Sequence, residues 1–155
     1  MGSFIPLIPT PFEHIGPFFE LAPVTAKDVV YDLGSGDGRL VFAAIQAGAG
    51  KAVGVELNVE HVQSATKKAK QLNLEDCVSF IHGDVMDIKV SEATVVLCYL
   101  ITAASLALKP KFETELRPGT RLVMESFPVP GWKADKTIFR DHKTHYLYCM
   151  PPKRD

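Results

Sequence analysis

At 155 residues the chain has the length of one ordinary domain with a real core, so no second domain is sought. Apolar residues make up 46% and charged residues 23%, which excludes a disordered chain, and no apolar run reaches the about 18 residues that a membrane span needs. With 17 Lys plus Arg against 18 Asp plus Glu, the net charge of -1 offers no basic footprint for a phosphate backbone, so nucleic acid is not the first partner to propose.

Taken in chain order, the first segment holds Pro6, Pro9 and Pro11, which fix φ and remove backbone donors, so residues 1–11 are expected to be extended. Hydrophobic period and turn residues then alternate in a βαβα rhythm, with no repeat or linker. The first strand is predicted over 28–33, followed by a helix over 37–47 that Gly48-Ala49-Gly50 stops, and a second strand over 52–56. Asn58 caps a helix whose apolar stripe is Val62, Ala65, Ala69 and Leu72. Strands follow at 77–81 and 93–97, then a helix over 102–116 that Pro110 should break or kink. Arg117-Pro118-Gly119 turns the chain into a strand over 120–126. The last two strands, 136–139 and 144–149, are separated by little more than Asp141-His142-Lys143, too short for a crossover, so they must be antiparallel. The expected fold is α/β: a doubly wound, mostly parallel seven-stranded sheet with a C-terminal antiparallel hairpin, in one domain spanning 1–155.

The odd count of three cysteines, Cys77, Cys98 and Cys149, all in or beside apolar runs, reads as reduced core residues of an intracellular protein. The five histidines lack zinc-site spacing, and His142 and His145 fall in a polar turn beside Lys143, so no metal is expected. The start lacks a signal peptide, and Pro6 stands where a myristoylation start needs Ser or Thr. The location read from this is cytoplasmic by default, with a mitochondrial one open if a targeting or anchor segment has been removed.

In an open α/β sheet the ligand lies beyond the carboxyl ends of the strands, where strand order reverses. Gly34, Gly36 and Gly38 fall there, and glycines let backbone lie directly against a ligand. Asp32, at the strand end, can accept from an ammonium group. Glu56 ends the second strand, where an acid can hold both hydroxyls of a ribose. Asp84 follows the third strand, where a carboxylate can accept from an adenine amino group while Val85 covers the ring. A nicotinamide enzyme would also carry Glu56, but G-x-G-x-G rather than G-x-G-x-x-G, together with the second acid, favours S-adenosylmethionine as the cofactor.

After the fourth strand, Leu97-Cys98-Tyr99-Leu100-Ile101-Thr102 is not the Asn/Asp-Pro-Pro-Tyr pattern that gathers an amide or base nitrogen. Tyr99 either stacks on or hydrogen-bonds an incoming amine, or closes the core at the strand end. Cys98 is disfavoured as a nucleophile, because transfer from a sulfonium needs no covalent step. Glu125 is either the carboxylate that orients the acceptor's ammonium or a surface partner for a lysine.

The seven-strand arrangement and these motifs resemble the class I S-adenosylmethionine-dependent methyltransferases. More narrowly, the chain resembles the small archaeal broad-specificity protein-lysine methyltransferases and their eukaryotic mitochondrial relatives. The likeness rests on Ile8-Pro9-Thr10-Pro11, on Asp32-Leu33-Gly34-Ser35-Gly36-Asp37-Gly38-Arg39, on Tyr99-Leu100 after Ala93-Thr94-Val95-Val96-Leu97, on Leu108-Lys109-Pro110-Lys111 with Glu115-Leu116-Arg117-Pro118-Gly119-Thr120-Arg121, and on Phe127 with Gly131-Trp132. It implies direct methyl transfer to a lysine of a protein partner, with Thr10 donating to the cofactor from an N-terminal lid; a strap packing Phe4, Ile5 and Ile8 on the core is the other reading of that segment. The mitochondrial members carry an N-terminal membrane or targeting segment that this chain lacks, and Glu125 has no firm counterpart in the family. The absence of inserted elements points independently to a shallow, open site suited to a macromolecule. A small-molecule or RNA methyltransferase, or a binding protein without catalysis, remains as the alternative.

Overall fold

The runs Val29–Leu33 (β1), Val95–Cys98 (β4) and Arg121–Glu125 (β5) are buried over nearly their whole length, as strands covered on both faces must be. Residues 14–155 are described by the computed structural model. The other strands are β2 (Lys51–Glu56), β3 (Val78–His82), β6 (Trp132–Lys133), β7 (Lys136–Arg140), β8 (Lys143–Cys149) and β9 (Lys153–Arg154). The helices are α1 (Gly16–Leu21), α2 (Arg39–Gln46), α3 (Val59–Gln71) and α4 (Thr102–Glu115). The seven-stranded sheet runs β3-β2-β1-β4-β5-β8-β7, parallel from β3 to β5, with β8 antiparallel to both β5 and β7. This is the mixed, doubly wound sheet predicted. Its strand order reverses between β1 and β4, the place where such sheets bind ligands.

Alternation along the strands divides the core. Tyr31, Leu33, Val53, Val55, Val96, Cys98, Leu122 and Met124 face α4, where Leu108 and Phe112 are fully buried. Burying such a side chain contributes roughly 1.5–3 kcal/mol. Val30, Ala52, Val95, Leu97, Val123 and Leu147 face α1, α2 and α3, against Phe18, Leu21, Leu40, Val41, Ala44 and Ala69. By the same alternation Asp32, Glu56, Tyr99, Glu125, Lys143 and His145 belong to this second face, at or just beyond the carboxyl edge of the parallel strands.

Several local expectations change. Pro110 does not end α4, which continues to Glu115. The missing N–H would have served the carbonyl of Leu106, and Leu106 is an exposed residue, on the side where water can take over. Leu72 lies at the C-cap of α3 and is 51% exposed, so the buried stripe ends at Ala69. The Asn58 cap forms as predicted, its side chain accepting from the Glu60 and His61 amides. The hairpin turn is only Asp141-His142, both at positive φ (53° and 63°), as a two-residue turn matching the strand twist requires. That shifts His145 out of the polar turn and into β8, opposite Glu125. A small ribbon of β6 and β9 was not expected, since two-residue strands carry no periodicity. No helix among the described residues is long and apolar enough to cross a membrane.

Candidate active site

The loop after β1 is built on β2. The amides of Gly34 and Ser35 both donate to the carbonyl of Val55, at 2.8 and 3.0 Å. Gly36 has φ of 54°, and a Cβ placed there would meet nothing within 4 Å, so its backbone borders open space. Gly38 has φ of 89°, and a Cβ would come within 2.8 Å of the Phe80 ring; here glycine is required by packing as well as conformation. Gly34 also has positive φ. Glu56, 6% exposed, is fixed by two amides: Gly36 donates to one carboxylate oxygen and Asn58 to the other, each at 2.8 Å. Each oxygen keeps acceptor capacity for a further donor. Asp84 is half-buried and accepts from the Met86 amide at 2.9 Å, while Val85 is drawn into the core on the α4 face. Thr10 lies outside the described residues.

Carboxylates crowd the part of this edge around Asp32. Asp32 is 4% exposed, and burial first, then Glu56, Asp37 and Glu125, raises its carboxyl well above the usual range. Burial, followed by the field of Asp32, does the same to the Cys98 thiol, which makes it a core residue and not a nucleophile. Asp32 and Glu56, both buried at this loop, would repel a pyrophosphate. They suit a ligand that brings positive charge, as S-adenosylmethionine does with its sulfonium and ammonium groups. This criterion separates it from a dinucleotide more sharply than glycine spacing.

Beyond Asp32 the edge continues through Tyr99 after β4, Glu125 at the end of β5, and Lys143 and His145 on β8. Glu125 is fully buried, which rules out the reading of it as a surface partner for a lysine. His145 is equally buried, with Nε2 at 3.4 Å from Glu125 Oε1, but the pair is not in hydrogen-bond geometry and none of the four polar atoms has a hydrogen-bond partner among the described residues. Phe18 sets its ring edge-on to His145 at 4.8 Å between centroids, and the ring of His14 lies at 6.5 Å. Ser126, at φ 69°, follows with its own hydroxyl buried and unpartnered. Tyr99 is half-buried, and its hydroxyl accepts from Lys143 Nζ at 3.0 Å.

A family model described as the ANTKMT methyltransferase domain matches residues 32–136. A protein-lysine N-methyltransferase of Saccharolobus islandicus is 39% identical over 94% of this chain and 94% of its own length. The chain belongs to this family of methyltransferases. The adenine nucleotide translocase lysine N-methyltransferase of Mus musculus is 35% identical over 66% of the chain, a match that spans only 44% of that longer protein. Among solved structures, an RNA methyltransferase from Salinibacter ruber in complex with S-adenosyl-L-homocysteine aligns with a TM-score of 0.88 at 39% identity, covering 93% of this chain and 94% of that one. The protein is therefore an S-adenosylmethionine-dependent methyltransferase, and the acidic, glycine-lined edge fits that cofactor.

Two of the segments that carried the resemblance, around Lys109 and around Trp132, are structural in this methyltransferase. Lys109 Nζ donates to the carbonyl of Pro130 and lies 5.9 Å from the centroid of the Trp132 ring, which is itself buried against Tyr148. They dock the stretch after β5 onto α4. His145 and Lys143 are the site residues the sequence reading missed. Their signal was the strict alternation of His145 and Leu147 with Tyr146 and Tyr148, which is legible only once the turn is shortened to two residues.

Proposed function

We propose that this methyltransferase acts on a lysine amine of a protein. The observation that carries the reading is Glu125: a fully buried carboxylate with neither oxygen hydrogen-bonded among the described residues and only the His145 ring beside it at 3.4 Å, on the same face as Tyr99. A buried carboxylate without hydrogen-bond donors is costly unless a bound group supplies them, and an ammonium with its N–H donors does so. Tyr99 offers the amine a second oxygen acceptor and an aromatic surface. On the cofactor side, Asp32 takes the ammonium, Gly34, Gly36 and Gly38 receive the ligand against bare backbone, Glu56 takes the ribose hydroxyls, and Asp84 takes the adenine, while the Val85 side chain, buried in the core on the α4 face, does not cover the ring as expected. The resemblance adds Thr10, outside the described residues, to that set. Bound there, S-adenosylmethionine supplies a methyl group on a sulfonium, which a neutral amine takes as the carbon–sulfur bond breaks. The chain contributes chiefly positioning, and water can receive the amine's proton.

The likeness to the Salinibacter ruber RNA methyltransferase supports a second reading, with RNA as acceptor. RNA would bring phosphates toward Asp32, Glu56 and Glu125 on a chain with no excess of basic residues. Incubation with methyl-labelled cofactor and, separately, protein extract, RNA and metabolites decides between them. Label in protein, located on lysine by mass spectrometry, is the expected result. Label confined to RNA or metabolites overturns the lysine reading, and no label in any fraction overturns it in favour of binding without turnover.

A further inference from the structure

Lys143 opens β8, two residues before His145 and therefore on the same face, and β8 is separated from β4 by β5. Its side chain reaches over the end of β5 to donate to the Tyr99 hydroxyl at 3.0 Å, with Nζ at 5.1 Å from the ring centroid. A fixed ammonium thus already stands at the position proposed for the acceptor. The groups that face it are Tyr99 from β4, Glu125 from β5 and, along β8, His145. Asp141 and His142 lie in the adjoining turn, Asp32 lies on β1, and Arg140 at the end of β7 is paired with Glu20 of α1.

A lysine reaching this site has a problem that cofactor binding does not solve. With an ordinary value near 10.4, about one lysine in 2,500 is neutral at pH 7, and only the neutral amine has a lone pair to offer. Tyr99 and Glu125 alone make the difficulty worse, because they stabilise the charged form. A second cation in the same small space reverses the balance, since two ammonium groups cannot share one phenol and one carboxylate at equal cost. One must lose its proton.

Resting on the reading of Tyr99 and Glu125 as the acceptor site, we propose that Lys143 is the residue that discharges the incoming lysine. It is a cation built into the acceptor site, forcing the guest ammonium to release its proton to water before attack. The guest is the one that yields because Lys143 is anchored. Its hydrogen bond to Tyr99, together with the fields of Tyr99 and Glu125, outweighs desolvation and holds it above its ordinary value. The lone pair freed on the guest nitrogen forms the new N–C bond, and the electron pair of the broken S–C bond stays on sulfur. Lys143 is a positioning residue in this scheme, because it neither gives nor receives a proton.

The test is the pH profile of methylation for wild type, Lys143→Met, Lys143→Gln and Lys143→Arg, with RNase-treated protein extract as acceptor and label in precipitated protein as readout. Calorimetric binding of S-adenosylhomocysteine identifies the folded variants, and two neutral replacements guard against one that fails to fold. Without the cation the rising limb should move to higher pH by about one unit, so that the rate falls about tenfold near pH 7.5 and recovers by about pH 10. Lys143→Arg should restore the wild-type profile. Neutral variants whose profiles superimpose on wild type, or a loss that is uniform in pH, overturn the proposal. Tyr99→Phe and Glu125→Gln separate the two layers. If both leave kcat/KM unchanged, the acceptor site itself has been misread and the role of Lys143 falls with it. If they impair transfer while the Lys143 profile stays fixed, only the role of Lys143 is lost.

Discussion

Asp28 and Asp32 lie four residues apart, just before β1 and near its end, and have opposite fates. Asp28 receives the Thr25 amide at 2.8 Å, the Thr94 hydroxyl at 2.8 Å and Arg121 Nη2 at 2.9 Å. Burial opposes its charge, yet those partners outweigh burial and hold its carboxyl below the usual range. Asp32 receives burial and three neighbouring carboxylates, which raise it. The amino edge of the sheet is electrostatically complete. Asp32 at the carboxyl edge has no cation paired with it among the described residues, and the proposed function gives that place to the cofactor's ammonium. On that proposal the contrast separates the carboxylate that serves the fold from the one that serves the cofactor, without appeal to motif.

The largest effect that tests this contrast is on binding. Asp32→Ala should weaken S-adenosylmethionine binding about 100-fold, the equivalent of about 2.7 kcal/mol for a charge-assisted contact, measured by titration calorimetry. An unchanged affinity would break the comparison at its functional end. Next comes Asp28→Asn, expected to cost about 2 kcal/mol of folding stability by leaving half-buried Arg121 without its anion, while cofactor affinity holds; denaturant midpoints check the first part. The smallest effect has the opposite sign. Asp32→Asn should stabilise the cofactor-free protein by about 1 kcal/mol at pH 8, as substitutions that relieve a strained site commonly do. Because the folded protein holds the Asp32 proton more tightly than the unfolded chain, its contribution favours folding in acid and is lost as pH rises from about 4 through the raised folded value. Thermal melts of wild type and Asp32→Asn should therefore converge at low pH and separate as pH rises, and saturating cofactor should close the gap. Asp28 has the reverse dependence, its stabilisation present above about pH 4 and lost on acidification through the lowered folded value.

The order of elements was legible because parallel strands here are apolar runs bounded by glycine and proline, and because a link as short as the one at Asp141 can only be a hairpin. The placement of Asp32, Glu56 and Asp84 at the carboxyl edge was legible because each ends or follows a strand, where the topology itself makes a site. Pro110 was misjudged because a missing N–H matters less on the water-facing side of a helix. His145 was misjudged, and the surface reading of Glu125 fell, for a shared reason. Charge and polarity in sequence suggest solvent, and only the pairing of β5 with β8 reveals that each is covered, by the other and by α1. Lys143 was invisible for the same reason, since its partner Tyr99 is 44 residues away in the chain.

The two-residue turn at Asp141-His142 has a consequence for how such a chain can change. The proposed cofactor residues of the described region all come from the first three strands and their loops, whereas Tyr99, Glu125, Lys143 and His145 come from the second half, the last two from a hairpin added at the sheet's edge. On these proposed sites, acceptor preference can be rewritten in the later half, by exchanging a hairpin of about a dozen residues, while the machinery that recognises the methyl donor is inherited untouched. A lineage built on this sheet can diversify its targets without relearning its chemistry.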